Sequence, residues 1–275
     1  MLDLQIHTVA TPHHAFWEPD DLAVAAARSG LTAIAATDHN TVASVRALME
    51  AGERLGIHVV PGVEIDSEFR GKLWHTLVYG VLPEEPKLLA LCESVFERNR
   101  ADAANLQALL AQQGFRLRSL DALDRAPNVA DVGAALAREN ILPGRVSGED
   151  DEQAGMRFIL TQLAGVYRPV GVDEIIAVAH SVGGLVVLAH PGRSKGIYAV
   201  PATREDVAAM AGAGLDGIEV FYPSHSAEQQ AFYGALAEQH DLLVTGGSDS
   251  HGPDQPLASW PEEWCHDFLI AITQT

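Results

Sequence analysis

Short apolar runs that finish on a histidine or a carboxylate recur along this chain, and that recurrence limits its folds. Runs near 2–7, 32–37, 57–64, 73–80, 185–190, 216–221 and 242–246 read as strands. Helical stretches near 19–29 and 41–55 separate the first three. Pro19-Asp20-Asp21 suits a helix start, with acidic side chains at the positive end of the dipole. Gly30, Gly56 and Gly214 follow helical stretches, as C-terminal cap glycines do. Strand and helix in alternation point to a parallel sheet or barrel of the α/β class.

His7 ends the first run, and Asp38-His39 follows the second. Glu64 ends the third, His75 lies on the fourth and His190 ends the fifth. Glu219 lies near the end of the sixth, and Asp249 and His251 follow the seventh. In a β/α barrel the carboxyl ends of the strands meet on one face. So many imidazoles and carboxylates in one cup would repel or desolvate one another without balancing cations. A multinuclear divalent site meets that demand, and the mixed donors suit Zn, Mn or Fe. Taken singly, each residue has a plainer reading: Asp38 as a helix cap, Gly246-Gly247 as a turn, a strand-end histidine as a hydrogen-bonding group. His58, His180, His240 and His266 read as structural.

Composition bears on partners. Asp and Glu number 37 against 18 Lys and Arg, a net charge of −19, which argues against a broad basic face for duplex DNA. The two cysteines, Cys92 and Cys265, form no Cys-x-x-Cys pair, and a reduced, cytoplasmic setting is expected. No signal peptide and no bilayer-spanning run is read. Oligomeric state is left open.

Residues 81–184 break the alternation. Helical pieces near 86–113, 129–139, 152–165 and 172–183 are separated by loops with Pro127, Pro143-Gly144 and the acidic run Glu149–Glu152. That run reads as a solvated helix start. We divide the chain into a barrel over 1–94 and 171–275 and a helical insertion or cap over 95–170.

The segments Asp3-Leu4-Gln5-Ile6-His7, Thr37-Asp38-His39-Asn40, Pro61-Gly62-Val63-Glu64-Ile65, His75, Ala189-His190-Pro191 and Gly247-Ser248-Asp249-Ser250-His251 stand in the order of a known family. The chain resembles the PHP (polymerase and histidinol phosphatase) family of metal-dependent phosphoesterases. The resemblance implies a distorted (β/α)7 barrel with a trinuclear site, and two to three divalent ions are expected in this chain. The insertion, Val166–Val170 and Gly217–His225 look like the subgroup that dephosphorylates nucleotides such as 3′,5′-bisphosphates or trims RNA from its 5′ end.

Carried over, one metal takes His7, Glu64 and Asp249, and a second shares Glu64 and adds His75 and His190. A third takes His39, His251 and a residue of the first loop, assigned to His13 with His14 as alternative. Gln5 departs from the family's His-x-His pair. It still points where the ligand would, so the first ion is expected to be weakly held, exchanged for a harder ion such as Mn, or absent. Otherwise Gln5 is a hydrogen-bonding residue behind the ligands.

The expected reaction is hydrolysis of a phosphomonoester by a hydroxide bridging two metals. Glu64 and Asp249 serve the nucleophile, and His225 is a candidate acid for the leaving group. Arg193 is the expected phosphate contact, with Arg98, Arg100, Arg145 and Arg168 as cap candidates for a second phosphate. A phosphodiesterase or 5′-3′ exoribonuclease on short RNA is the near alternative. A metal-dependent amidohydrolase and a non-catalytic metal-binding barrel weakened at Gln5 are the distant ones.

Overall fold

The computed structural model describes residues 1–11, 15–194 and 200–273. His13 and His14 lie outside the described residues. In chain order the elements are β1 (Leu2–Ile6), α1 (Pro19–Arg28), β2 (Ala33–Ala36), α2 (Val45–Leu55), β3 (His58–Val59), β4 (Gly62–Phe69) and β5 (Lys72–Tyr79). There follow α3 (Pro86–Gln112), α4 (Val129–Glu139), α5 (Asp151–Gln162), β6 (Val170–Gly171), α6 (Val172–His180) and β7 (Leu185–Leu188). The chain continues with α7 (Arg204–Ala213), β8 (Gly217–Phe221), α8 (Ala227–Gln239), β9 (Leu243–Gly246) and α9 (His266–Ile272).

Two sheets form the frame. One has the order β1-β2-β3 and the other β6-β4-β5-β7-β8-β9. Single parallel bridges, His39 to Glu64 and Ile6 to Ser250, join them at both edges. The ring therefore runs β1-β2-β4-β5-β7-β8-β9 and back to β1, a distorted α/β barrel, with β6 beside β4 outside the ring.

The structure corrects two features of the sequence reading. The run 57–64 is two strands, because Pro61 interrupts it: β3 pairs with β2, and β4 pairs with β5. The ring is also not uniformly parallel. Arg70 and Gly71 both have positive φ (52° and 76°), as a two-residue type I′ hairpin requires, so β5 returns antiparallel to β4. β5 is antiparallel to β7 as well. His75 thus sits on the early half of its strand yet reaches the level of Glu64.

Alternation along the strands separates two layers. Val63, Ile65, Val78, Val186 and Leu188 pack under the helices, whereas Leu77, Tyr79, Val187 and Ala189 join Leu2, Leu4 and Phe268 of α9 in an inner cluster. Hydrophobic residues thus fill part of the ring, and polar residues gather beyond them. A third cluster, separate from the other two, runs from Ala103 and Leu106 of α3 through Val132 and Leu136 of α4 to Phe158 and Ile159 of α5. The acidic run opens α5, where Asp150 and Gln153 form a capping box. Among the described residues no helix is long and apolar enough to cross a membrane.

Candidate metal centre

Glu64 is fully buried and carries five close contacts on two oxygens. Oε1 lies 2.9 Å from Gln5 Nε2, 2.9 Å from His75 Nδ1 and 3.1 Å from His190 Nε2. Oε2 lies 3.0 Å from His7 Nε2 and 3.6 Å from His39 Nε2. His7 Nε2 is also 3.1 Å from Asp249 Oδ1. The imidazoles are crowded, with ring centroids 4.1 Å apart for His7 and His251 and 4.7 Å for His7 and His39. The groups His7-Glu64-Asp249, His39-Glu64-His75 and His7-His39-His251 each converge closely enough to share an ion.

The side chains fit cations better than they fit one another. Gln5 Oε1, His7 Nε2, Glu64 Oε2 and His75 Nδ1 are buried without an aligned hydrogen-bond partner, although several lie within 3.0 Å of an opposing group. Buried polar atoms are rarely left so. Lone pairs aimed at shared points, rather than at protons, are what a divalent ion satisfies. Burial works against positive charge on His7, but Asp249 and Glu64 outweigh it and push the pKa up to about 10. The space between the two carboxylates thus draws a proton or another cation. His251 moves the opposite way: burial and the neighbouring His7 lower it to about 4. Its Nδ1 lies 2.8 Å from the Asp249 carbonyl, so as a neutral ring it donates there and keeps a lone pair on Nε2.

The surrounding shell is built from local sequence. Asp38 does not cap α2. It accepts from the Thr8 amide (2.6 Å), the Thr8 hydroxyl and the Thr11 hydroxyl (2.8 Å each), and from Ser44. Thr11 Oγ1 in turn lies 3.2 Å from His7 Nδ1, which fixes that ring. His190, Asp249 and Asn40 all have positive φ (26°, 57° and 57°), uncommon for residues other than glycine and concentrated here beside the donors. Glu219 holds the His190 turn by accepting its N–H at 2.8 Å. Burial pushes the Glu219 carboxyl well above the usual range. Asp3, raised by burial to about 6, accepts from the amides of Ser248 and Ala258, tying the Asp249 loop to β1.

Gln5 reaches the cup, as the two-residue strand spacing requires, and donates to Glu64 Oε1. Arg193 is also there: Nη1 lies 3.2 Å from Asp249 Oδ2 and 3.5 Å from His190 Nε2. His225 is placed differently from the expected proton donor. Its Nε2 accepts from the Gly192 amide (2.9 Å) and its Nδ1 donates to the Val220 carbonyl (2.9 Å), so no free N–H faces the cup. Gly192 suits this clamp, because a Cβ there would lie 2.8 Å from the His225 ring.

Three expected cap arginines are engaged within the fold. Arg98 bonds both oxygens of Glu174, Arg100 pairs with Glu93, and Arg145 pairs with Asp151. Arg168 is exposed, and its amide donates to Asp102. Lys72 and Lys87 serve Asp206 and Ser181, away from the cup. Among the described residues there is accordingly no lysine for a carbamylated bridge.

Two site residues escaped the sequence reading. Tyr222 donates to Asp249 Oδ2 at 3.3 Å. Asp66 lies 3.2 Å from His39 Nδ1. Asp66 stands two residues after Glu64 on one strand, and that spacing was its available signal.

Comparison with known proteins agrees with this geometry. The PHP domain profile matches residues 3–121. A phosphoribosyl 1,2-cyclic phosphate 1,2-diphosphodiesterase of Eggerthella lenta is 32% identical over 91% of this chain and 94% of its own. A 5′-3′ exoribonuclease of Haemophilus influenzae is 27% identical over 91% and 90%. A 3′,5′-nucleoside bisphosphate phosphatase of Chromobacterium violaceum is 24% identical over 93% and 89%. A solved structure from Bifidobacterium adolescentis, described as a metal-dependent phosphoesterase, superposes with a TM-score of 0.68 at 24% identity, covering 98% of this chain and 96% of that one. The chain belongs to the PHP domain family, and it is a metal-dependent phosphoesterase.

Proposed function

We propose that the chain hydrolyses a phosphate ester of a small phosphorylated metabolite or nucleotide, a nucleoside 3′,5′-bisphosphate being the leading candidate, with two to three Mn, Zn or Fe ions. The observation that carries this reading is Arg193, a guanidinium beside Asp249 and His190 within a cup of convergent donors. His7, Glu64, Asp249, His75, His190, His39 and His251 would hold the ions, with His13 or His14 as a further donor. Bound ions would supply an acidified water as nucleophile and neutralise charge on the phosphate. Glu64 and Asp249 keep the cup anionic enough to retain them. Arg193 offers N–H donors to the phosphate oxygens as charge builds. The His225–Gly192 and Glu219–His190 contacts hold the Arg193 turn in place.

The relatives act on a cyclic phosphate, an RNA end and a bisphosphate by their names, so the ester type stays a choice among neighbours. The internal pairing of Arg98, Arg100 and Arg145 favours a small substrate, since a strand would need a basic track to follow. The test is phosphate release from nucleoside monophosphates, 3′,5′-bisphosphates, cyclic phosphates and short 5′-phosphorylated RNA, with Mn, Zn and Fe compared. We expect the small substrates to lead, chelation to stop turnover, and Arg193→Ala to cut kcat/KM by about 100-fold. Faster turnover of RNA than of any small substrate would overturn the reading. So would full activity after chelation.

A further inference from the structure

We propose that Asp66 is a positioning residue that holds two imidazoles of the cup, His39 and His75, by the nitrogens facing away from Glu64. The inference rests on reading those histidines as metal ligands. Asp66 Oδ1 lies 3.2 Å from His39 Nδ1 and 3.6 Å from His75 Nε2. The opposite nitrogen of each ring faces Glu64: His39 Nε2 at 3.6 Å from Oε2, and His75 Nδ1 at 2.9 Å from Oε1. One carboxylate thus stands behind both rings while another stands before them.

The backbone sets this arrangement. Glu64 and Asp66 share a face of β4, and Asp66 stands directly opposite His75 in the β4–β5 register. Asp66 is itself gripped from the β2–α2 loop. Asn40 Nδ2 donates to Asp66 Oδ2 at 2.8 Å, and the Asp66 amide donates to Asn40 Oδ1 at 2.9 Å. Asn40 adopts the left-handed conformation that asparagine tolerates better than most residues. Its amide also donates to the Glu64 carbonyl at 2.7 Å, so the clasp ties the His39 loop to the strand that carries Glu64.

The chemistry follows from charge. A carboxylate oxygen facing a ring nitrogen favours a proton on that nitrogen and leaves the lone pair on the other. Asp66 therefore favours Nδ1–H in His39 and Nε2–H in His75, opposite tautomers, each with its lone pair toward Glu64. The contact to His39, at 3.2 Å, acts by charge rather than through an aligned hydrogen bond. That to His75 is longer, at 3.6 Å, and acts in the same way. The negative charge also raises the basicity of both rings toward an ion.

The test compares the metal-loaded protein with Asp66→Ala, Asp66→Asn and an exposed control in the insertion, Asp124→Ala. Mn and Zn affinity is read by titration against a competing chelator, and the fold is checked by thermal melting. We expect affinity to fall about 10–100-fold in both Asp66 variants and to hold in the control. Asp66→Asn keeps the size of the side chain and removes its charge, so it decides the matter if the alanine variant folds poorly. Affinity within twofold of the parent in Asp66→Asn would overturn the proposal. A parent protein that binds no divalent ion would instead remove the ligand reading itself, and the proposal with it.

Discussion

Gln5 reaches into the cup from β1, two residues before His7, and holds Glu64. Its amide nitrogen holds Glu64 Oε1, while its carbonyl oxygen is buried without a hydrogen-bond partner. An amide oxygen is neutral and binds Zn more weakly than imidazole does. Replacing Gln5 with His removes a donor to Glu64 and adds an imidazole two residues from His7 on the same strand. We expect Gln5→His to bind its ions more tightly by about tenfold, about 1.4 kcal/mol, in a chelator titration. Unchanged affinity would mean that Gln5 serves only to hold Glu64.

At the scale of elements, the short connections carry the design. The hairpin at Arg70-Gly71 reverses β5, and the next residue, Lys72, reaches across to Asp206 at 2.7 Å. Asp206 also completes the capping box of α7 with Thr203. Burial opposes its charge, but Lys72 and the Thr203 bonds outweigh that and hold its carboxyl below the ordinary value of 3.8. A depressed carboxyl stabilises the fold above its unfolded pKa, and that stability is lost as pH falls through the folded value. Asp206→Ala should therefore cost about 1–2 kcal/mol at neutral pH, as lost caps do. The gap between parent and variant melts should be constant above the unfolded value of 3.8 and shrink below it. A gap that widens with acid would contradict this assignment.

Across the whole molecule, α4, α5 and the C-terminal half of α3 enclose a core of their own, while the N-terminal half of α3 packs in the main core. In it α4 and α5 cross at two glycines: a Cβ on Gly155 would lie 1.8 Å from the Gly133 carbonyl oxygen. Gly155→Leu should force the helices apart and destabilise the insertion by about 1–3 kcal/mol. Because the metal cup draws its donors from the barrel strands, metal per chain should stay at the parent value while a melting transition moves down. Loss of metal together with the transition would show that insertion and barrel fold as one unit.

Much of the cup was legible because its donors lie at strand ends and keep a two-residue spacing. His7, Glu64, His190, Asp249 and His251 need only the strand pattern to be singled out. For His75 the strand pattern is a weaker guide, since its strand runs the other way; the hairpin geometry that brings it to Glu64 depends on two positive φ values. The roles of Asp66 and Tyr222 are not legible in the sequence, because their contacts cross between strands and loops. For His225 and the arginines at 98, 100 and 145 the sequence offers only residue type, and type does not reveal a partner. Residue order and hydrophobic period therefore determine the α/β frame and the chemical character of the cup, since both follow from local repeats. Only the tertiary structure decides which nitrogen faces which oxygen and which arginine is already engaged. Those depend on ring closure and on residues as far apart as Asp3 and Ala258 being brought within 2.8 Å.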